Sequence, residues 1–169
     1  MLSGIGTVNN DNPKLNVRRR SEDKQPKRFI LDSHVSIKPE LDILQQENVF
    51  LVYGDDPNKN LGNLKDKKVS LLKMPLKNNR IDLSHLISQL NEYGINNLLV
   101  EAGPTLSGEM IESGLFNNLV IYLSPSFLGS GSNNLIKSTK IKEMKQRINF
   151  LYKDIRRIGP DIKITLEPE

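Results

Sequence analysis

The sequence contains no cysteine and no tryptophan, and histidine occurs only at His34 and His85 among its 169 residues. Without thiols, disulfide frameworks, zinc–thiolate sites, cysteine nucleophiles and iron–sulfur clusters are all excluded. A site built from several histidines is disfavoured by the same count, so we expect no metal. A chain without disulfides is typical of the cytoplasm, where we expect this protein to reside.

Long apolar runs are missing too, because no stretch approaches the roughly 18 consecutive apolar residues that a membrane span needs. We therefore expect no membrane partner. Aromatic residues make up 5% of the chain, which is too few for the stacking platforms of a nucleic-acid-binding protein. The modest net charge of +4 instead favours anionic small molecules, including phosphorylated ones.

Short apolar runs alternate with segments of helical spacing, and this order predicts an α/β domain. The predicted strands are Leu2–Val8, Arg28–Asp32, Val49–Tyr53, Val69–Lys73, Asn97–Glu101, Asn118–Leu123, Ile148–Arg157 and Asp161–Leu166. The predicted helices are Pro39–Gln46, Asp82–Tyr93 and Pro104–Ser113, and residues 18–27 are predicted to form a surface loop. The sheet is expected to be mainly parallel, with an antiparallel hairpin at its C-terminal edge.

One candidate site lies where a predicted strand ends at Glu101 and a Gly103-Pro turn leads into a helix. In open α/β sheets ligands bind beyond the carboxyl ends of strands, and a helix N-terminus suits a phosphate. Thr105 and Ser107 add hydroxyl donors there. A P-loop is excluded, since Glu109 stands where that motif needs lysine. Spacing alone also allows an ordinary strand-to-helix connection with a solvated Glu101.

A second candidate group comes from polar residues that follow two other predicted strands. Asp11 can accept hydrogen bonds from a ligand, and Arg18 can clamp a phosphate with two parallel hydrogen bonds. Ser33 and His34 offer a hydroxyl and an imidazole. The alternative is an Asx-rich turn followed by a basic loop, with both Ser33 and His34 as ordinary turn residues.

These segments together resemble one family, the reductase domain of the bifunctional riboflavin-biosynthesis deaminase/reductase. The segments that carry the resemblance are Gly4–Val8 with Asp11, Pro13, Leu15 and Arg18, then Leu31–Ser33, Val100–Leu106, Tyr122–Pro125, Leu128-Gly129 and Asp154–Leu166. They follow one another in order over essentially the whole chain. The resemblance implies a dihydrofolate-reductase-like fold, a homodimer, and NADPH-dependent reduction of the ribosyl group of 5-amino-6-(5-phosphoribosylamino)uracil to the ribityl group.

The resemblance also implies a role for particular residues. Thr7, Asp11 and Ser33 would contact NADPH. Its phosphates would be held by a run that comprises Gly103, Pro104, Thr105, Leu106, Ser107, Gly108 and Glu109. The phosphorylated substrate would face Leu15, Arg18 and Glu101, with Arg18 against its 5-phosphate. Asp11 and Glu101 are the acids available as proton donors, that is, as catalytic residues.

Two departures from the family pattern shape the expected domain organisation. The deaminase domain of the family is absent, and its zinc signature needs cysteine, so we expect a stand-alone reductase and a separate deaminase chain. Family members also begin with a strand, a loop and a helix before the strand that starts here at Leu2. We therefore expect one reductase domain over residues 1–169 that lacks this opening. The alternatives are a non-catalytic fragment that keeps the fold, or an NADPH reductase of another pyrimidine- or pterin-like substrate.

Overall fold

The structure, a computed structural model, describes residues 1–18, 25–138 and 140–169. Residues 19–24 of the predicted surface loop therefore lie outside the described part of the chain. The described chain divides into two compact units, Met1–Gly103 and Pro104–Glu169. The expectation of one reductase domain stays a prediction.

The first unit is built on a four-stranded parallel sheet with the strand order β1-β2-β3-β4. Its strands are β1 (Leu2–Gly4), β2 (Arg28–Leu31), β3 (Val49–Tyr53) and β4 (Val69–Lys73). Every residue of β2 is buried, as is typical of a parallel sheet that is covered on both faces. The sheet therefore presents ligand-accessible groups at the ends of its strands rather than on its faces.

Helices and a short hairpin complete the first unit. They are α1 (Ile5–Asp11), a hairpin of β5 (Leu76–Lys77) and β6 (Arg80–Ile81), α2 (Leu83–Leu90), and 3-10 turns at Asp42–Gln45, Asn60–Leu64 and Asn91–Tyr93. The Asp82 side chain caps α2 by accepting from the His85 N–H at 3.1 Å, and Gly94 ends the following turn with φ +69°. Asp82 is a residue type favoured at a helix N-cap, and glycine is the residue that most readily takes the left-handed conformation at the end of a helical segment.

Alternating side chains of the parallel strands form two apolar layers. On one face Ile30 and Leu51 join a cluster that also contains Val8 of α1 and Val35. On the other face Phe29 stacks on Phe50 with ring centroids 4.9 Å apart, and the edge of Tyr93 meets both rings. The layers fix the sheet between α1 and the segment that follows α2.

Arg28 is a buried charged residue of this sheet, only 2% exposed. Its guanidinium donates to the carbonyl of Lys14 at 3.1 Å, to the side-chain oxygen of Gln46 and to the carbonyl of Glu47. Burial lowers the pKa of Arg28, because a charge is costly away from water. The neutral oxygens accept from the two terminal nitrogens of the guanidinium, whereas its buried Nε has no hydrogen-bond partner among the described residues. Arg28 therefore ties two chain segments to the amino end of β2.

The second unit contains α3 (Pro104–Glu112) and a three-stranded antiparallel sheet of order β7-β9-β8. Its strands are β7 (Leu119–Leu123), β8 (Phe150–Ile158) and β9 (Asp161–Pro168), and a 3-10 turn lies at Met144–Gln146. Gly159, with φ +61°, lies in the turn between β8 and β9, which confirms the predicted hairpin. Within the described residues, no helix has the length and apolar character to cross a bilayer.

The predicted α/β class is confirmed, whereas three local predictions are corrected. Leu2–Val8 is extended only to Gly4, because the next turn is helical and buries Val8 in the core. Asn97–Glu101 forms one isolated parallel bridge, Leu2 with Val100, rather than a full strand. Pro39–Gln46 contains only the 3-10 turn Asp42–Gln45. The antiparallel strands form a sheet of their own rather than an edge of the parallel one.

Candidate functional site

The carboxyl ends of the parallel strands meet along one edge of the first unit. Gly4 is paired with Leu31, and Leu31 with Val52, so the residues that follow these strands lie side by side. The Leu99–Glu101 segment lies beside the first residue of β1 and runs parallel to that strand towards the same edge, since Leu2 donates to the Leu99 carbonyl at 2.8 Å and accepts from the Glu101 N–H at 3.0 Å. This edge is where ligands bind in open α/β sheets.

A hydrogen bond connects two of the predicted cofactor residues at this edge. The Gly103 N–H donates to the Thr7 hydroxyl at 3.1 Å, although the two residues are far apart in the chain. A Cβ on Gly103 would lie 3.3 Å from the same hydroxyl, so glycine allows the close approach. Because the Gly103 N–H already donates to Thr7, it does not serve as a phosphate donor. Gly103 instead lets the backbone lie close to the Thr7 side chain.

Ser33 is fixed at the end of β2 by neighbours from two other segments. Its carbonyl accepts from the N–H groups of Gly54 and Asp55, each at 3.1 Å. Its hydroxyl accepts from the Ile81 N–H at 3.2 Å. A hydroxyl that accepts one hydrogen bond keeps its own proton for donation, which suits a phosphate or ribose oxygen.

The next residue, His34, is held at both ring nitrogens. Nδ1 lies in hydrogen-bond contact with the Asp55 carboxylate, and Nε2 lies 3.2 Å from the Asn79 carbonyl. The hydrogen bond to Asp55 is the main cause that raises the pKa of His34 above its usual value. Desolvation opposes the rise, and the charges of Asp55 and Asp32 support it.

Asp32, which precedes Ser33, is 1% exposed and organises the turn after β2. Its carboxylate accepts from the Ser36 hydroxyl at 2.9 Å and from the Ile37 N–H at 2.8 Å. Between them Val35 is fully buried with φ +52°. This conformation is strained for a β-branched residue, and strained turns of this kind cluster at functional sites.

Asn9 is a positioning residue that sequence reasoning missed. Its side-chain amide donates to the Ser36 carbonyl at 3.0 Å, and its side-chain oxygen accepts from the Lys38 N–H at 3.1 Å. These bonds attach α1, which carries Thr7 and Asp11, to the turn after β2. Two consecutive asparagines, Asn9 and Asn10, are typical of a turn. The sequence therefore gives no signal that the Asn9 side chain hydrogen-bonds to a distant segment.

The remaining predicted residues of the first unit lie in different surroundings. Asp11 is exposed as the last residue of α1, and Glu101 is exposed beside Leu2. The Leu15 side chain belongs to the hydrophobic core, so contact with a ligand would come from its backbone. Exposed Arg18 follows Val17, whose N–H donates to Gln25 at 3.0 Å. The described contacts thus tie this segment towards the start of β2, and none joins Arg18 to the carboxyl-edge group.

The predicted phosphate-binding run continues into α3 of the second unit. The first turn of a helix leaves backbone N–H groups without intrahelical acceptors, and these begin directly after Pro104. Gly108 is buried, and a Cβ there would lie 1.9 Å from the Lys137 carbonyl. Gly108 therefore admits the Lys137 backbone, whose N–H donates to the Pro104 carbonyl at 3.0 Å. Leu106, Ser107 and Glu109 are partly buried, and Thr105 is exposed.

Among the described residues, no group of three His, Asp or Glu side chains is arranged to hold an ion. Sequence reasoning also missed the β5–β6 hairpin, which supplies Asn79 and Ile81 to the edge. Its turn residues Asn78 and Asn79 have φ +51° and +63°. Consecutive asparagines between short strands are a signal for such a turn.

A parallel sheet with hydroxyl and carboxylate groups gathered at its carboxyl edge is the arrangement at which open α/β proteins bind small molecules. The family model of the RibD C-terminal domain matches residues 1–164, and the chain belongs to this family. The predicted resemblance is thereby confirmed.

Similar proteins agree with this assignment. The chain is 31% identical to the riboflavin biosynthesis protein RibD of Escherichia coli over 98% of its own length and 48% of that protein. It is 30% identical to the 5-amino-6-(5-phosphoribosylamino)uracil reductase of Buchnera aphidicola over 100% of this chain and 86% of that one. Acinetobacter baumannii RibD has a similar structure, with a TM-score of 0.82 at 28% identity over 99% of this chain and 46% of that chain.

The structural likeness confirms the predicted dihydrofolate-reductase-like fold. The chain spans about half the length of the RibD proteins that it matches. By contrast, it covers most of the Buchnera reductase.

Proposed function

We propose that this chain is an NADPH-dependent oxidoreductase of riboflavin biosynthesis that reduces the ribosyl group of 5-amino-6-(5-phosphoribosylamino)uracil to the ribityl group. The Buchnera relative of this name supports the proposal over the full chain. The observation that carries it is the Gly103–Thr7 hydrogen bond, which joins two distant segments that the resemblance assigns to one cofactor.

The residues at the carboxyl edge fit a nicotinamide dinucleotide. Thr7 and Ser33 each accept a backbone N–H, so their hydroxyl protons are oriented for donation to ribose or phosphate oxygens. The resemblance assigns the cofactor phosphates to residues 104–109 of the second unit, and the first turn of a helix suits a phosphate. When bound, the cofactor would supply a hydride to C1′ of the ring-opened imine form of the sugar, while one proton is delivered to the imine nitrogen.

Asp11 and Glu101 are the candidates to deliver that proton. Both carboxyl groups are on exposed residues, and the Glu101 backbone is fixed by its hydrogen bond to Leu2 at 3.0 Å. A general acid must lie within hydrogen-bond reach of the group that it protonates. The rate of the reduction step in variants of each acid therefore decides which of the two donates the proton.

Partners follow from the same proposal. Arg18 would bind the 5-phosphate of the substrate, since a guanidinium matches phosphate geometry. A separate deaminase chain would supply the substrate, because a solved Thermotoga maritima protein, of which this chain covers 44%, is named as both a deaminase and a reductase. We also propose a homodimer and a cytoplasmic location.

The test is a direct assay of the purified chain with NADPH and the phosphoribosylaminouracil. Loss of NADPH absorbance, and a product heavier by the mass of H2, are the expected results. Binding of NADPH without turnover would favour the non-catalytic reading. Turnover only with another pyrimidine or pterin would favour the related reductase.

Variants assign the residues in the same assay. We expect Ser33→Ala and Thr7→Val to weaken NADPH binding by roughly 5- to 10-fold each, about the worth of one hydrogen bond. Ser70→Ala, an exposed serine on β4, is the matched control and should bind normally. In single-turnover experiments, the acid that donates the proton is whichever of Asp11→Asn and Glu101→Gln slows reduction, and normal rates in both exclude both.

A further inference from the structure

The ring of His34 joins three chain segments at the carboxyl edge. His34 follows β2, Asp55 follows β3, and Asn79 lies in the β5–β6 turn. Nδ1 contacts the Asp55 carboxylate and Nε2 lies 3.2 Å from the Asn79 carbonyl. The side chain is about one third exposed, at 34%, so the ring is reachable by solvent and can exchange its proton.

Both neighbours of the ring are hydrogen-bond acceptors. A backbone carbonyl only accepts, and an ionised carboxylate only accepts. Both contacts are therefore hydrogen bonds at the same time only when both ring nitrogens carry a proton. A neutral ring has a single N–H and must leave one of the two segments without its bond.

The same two segments position Ser33. The Asp55 N–H donates to the Ser33 carbonyl at 3.1 Å, and the Ile81 N–H, two residues beyond Asn79, donates to the Ser33 hydroxyl at 3.2 Å. His34 thus holds the hairpin that sets the direction of the Ser33 hydroxyl. Losing the bond to Asn79 would release that hairpin from the end of β2.

We propose that His34 is a positioning residue whose doubly protonated ring donates hydrogen bonds to both Asp55 and Asn79. These two hydrogen bonds fix the Ser33 hydroxyl for the cofactor. This role rests on the proposed function of the site. The cofactor is bound most tightly while both hydrogen bonds of the ring are formed, and its affinity falls when the ring loses a proton.

The direction of the pH dependence follows from the charges around the ring. Asp55 raises the pKa of His34, and Asp32 on its own segment acts in the same direction. Asp56 follows Asp55, and Lys77 and Arg80 flank the turn of the hairpin. The folded-state pKa of His34 lies above its ordinary value. Both hydrogen bonds of the ring are therefore formed when the pH is below that ordinary value, and one of them is lost as the pH rises through the folded-state pKa.

The experiment measures NADPH affinity from the fluorescence of bound NADPH between about pH 5 and about pH 9, where a histidine titrates. For the wild type we expect NADPH affinity to fall about fivefold as the pH rises, which is the low end of the coupling seen between two sites. His34→Gln should bind NADPH weakly and lack this step. His85→Gln, which alters the exposed histidine of α2, should keep it, and Asp55→Asn should move the step to lower pH.

Amide NMR signals of Asn79 and Ile81, recorded without ligand, provide a readout that does not depend on the cofactor. They should titrate together with the His34 ring in the wild type and stay constant in His34→Gln. The role of His34 is overturned if NADPH binds but the pH step persists in His34→Gln. It is also overturned if the amide signals of Asn79 and Ile81 do not change while the wild-type His34 ring titrates. If no NADPH binds at any pH, the proposed function itself is overturned.

Discussion

Gly54 shows how a single residue sets the spacing of the carboxyl edge. Its N–H donates to the Ser33 carbonyl, and its missing side chain leaves room for Leu76 of β5. A Cβ at this position would lie 2.1 Å from a methyl carbon of Leu76, which is far inside van der Waals contact. The residue therefore brings the hairpin within reach of Ser33.

We expect Gly54→Ala to destabilise the chain by about 1–3 kcal/mol, the usual cost of an added methyl group in a filled space. NADPH affinity should fall as well, because the hairpin must move away from Ser33. Gly62→Ala is the control, since nothing lies within 4 Å of a Cβ there. Urea unfolding and NADPH titration of both variants measure the two effects, and equal behaviour of the two would contradict the prediction.

At the scale of elements, α1 depends on its attachment to the turn after β2. Asn9→Ala removes the hydrogen bonds to Ser36 and Lys38, and we expect a loss of about 1 kcal/mol. Thr7 lies on the same short helix, so NADPH binding should weaken too. Asn10→Ala, at the exposed neighbouring position, should change neither quantity. Calorimetric melting and NADPH titration provide the measurements, and a normal affinity in Asn9→Ala would show that the tether does not position α1.

The elements that could be predicted from the sequence are those whose signals are local. Val49–Tyr53 and Val69–Lys73 form strands with the predicted bounds, since each is an apolar run between polar turns. Gly94 ends the 3-10 turn Asn91–Tyr93 that follows α2, close to the predicted end of the helix at Tyr93. The helix at Ile5–Asp11 could not be predicted in this way, because glycine and β-branched residues disfavour helix and what favours it, burial of Val8 and the hydrogen bonds of Asn9, depends on distant segments.

Site residues show the same division. Ser33 could be placed from the sequence, because it follows an apolar strand and the carboxyl ends of parallel strands share an edge. The roles of Asn9 and Asn79 could not, since both depend on contacts between segments far apart in the chain. Leu15 is buried in the core, a placement that the position of a family motif does not reveal.

At the scale of the whole molecule, the second unit carries an uncovered apolar face. In the antiparallel sheet, residues opposite each other share a face, and Leu123 lies opposite Ile162, as Ile155 lies opposite Ile164. Leu123, Ile155 and Tyr152 are 55%, 58% and 72% exposed. Contiguous apolar surface of this kind marks an interaction site in a monomer of ordinary solubility.

A second copy of the chain is the occupant expected from the proposed homodimer, because the same patch on two copies is self-complementary about a twofold axis. Sedimentation velocity at increasing concentration should show a dimer for the wild type. Ile155→Lys places a charge in the middle of the apolar face and should shift the population to monomer, with desolvation of the ammonium group as the cause. Val120→Lys is the matched control, since Val120 is also an exposed apolar residue but points to the opposite face of β7. A wild type that stays monomeric, or an Ile155→Lys variant that dimerises normally, would show that this face is not the dimer interface.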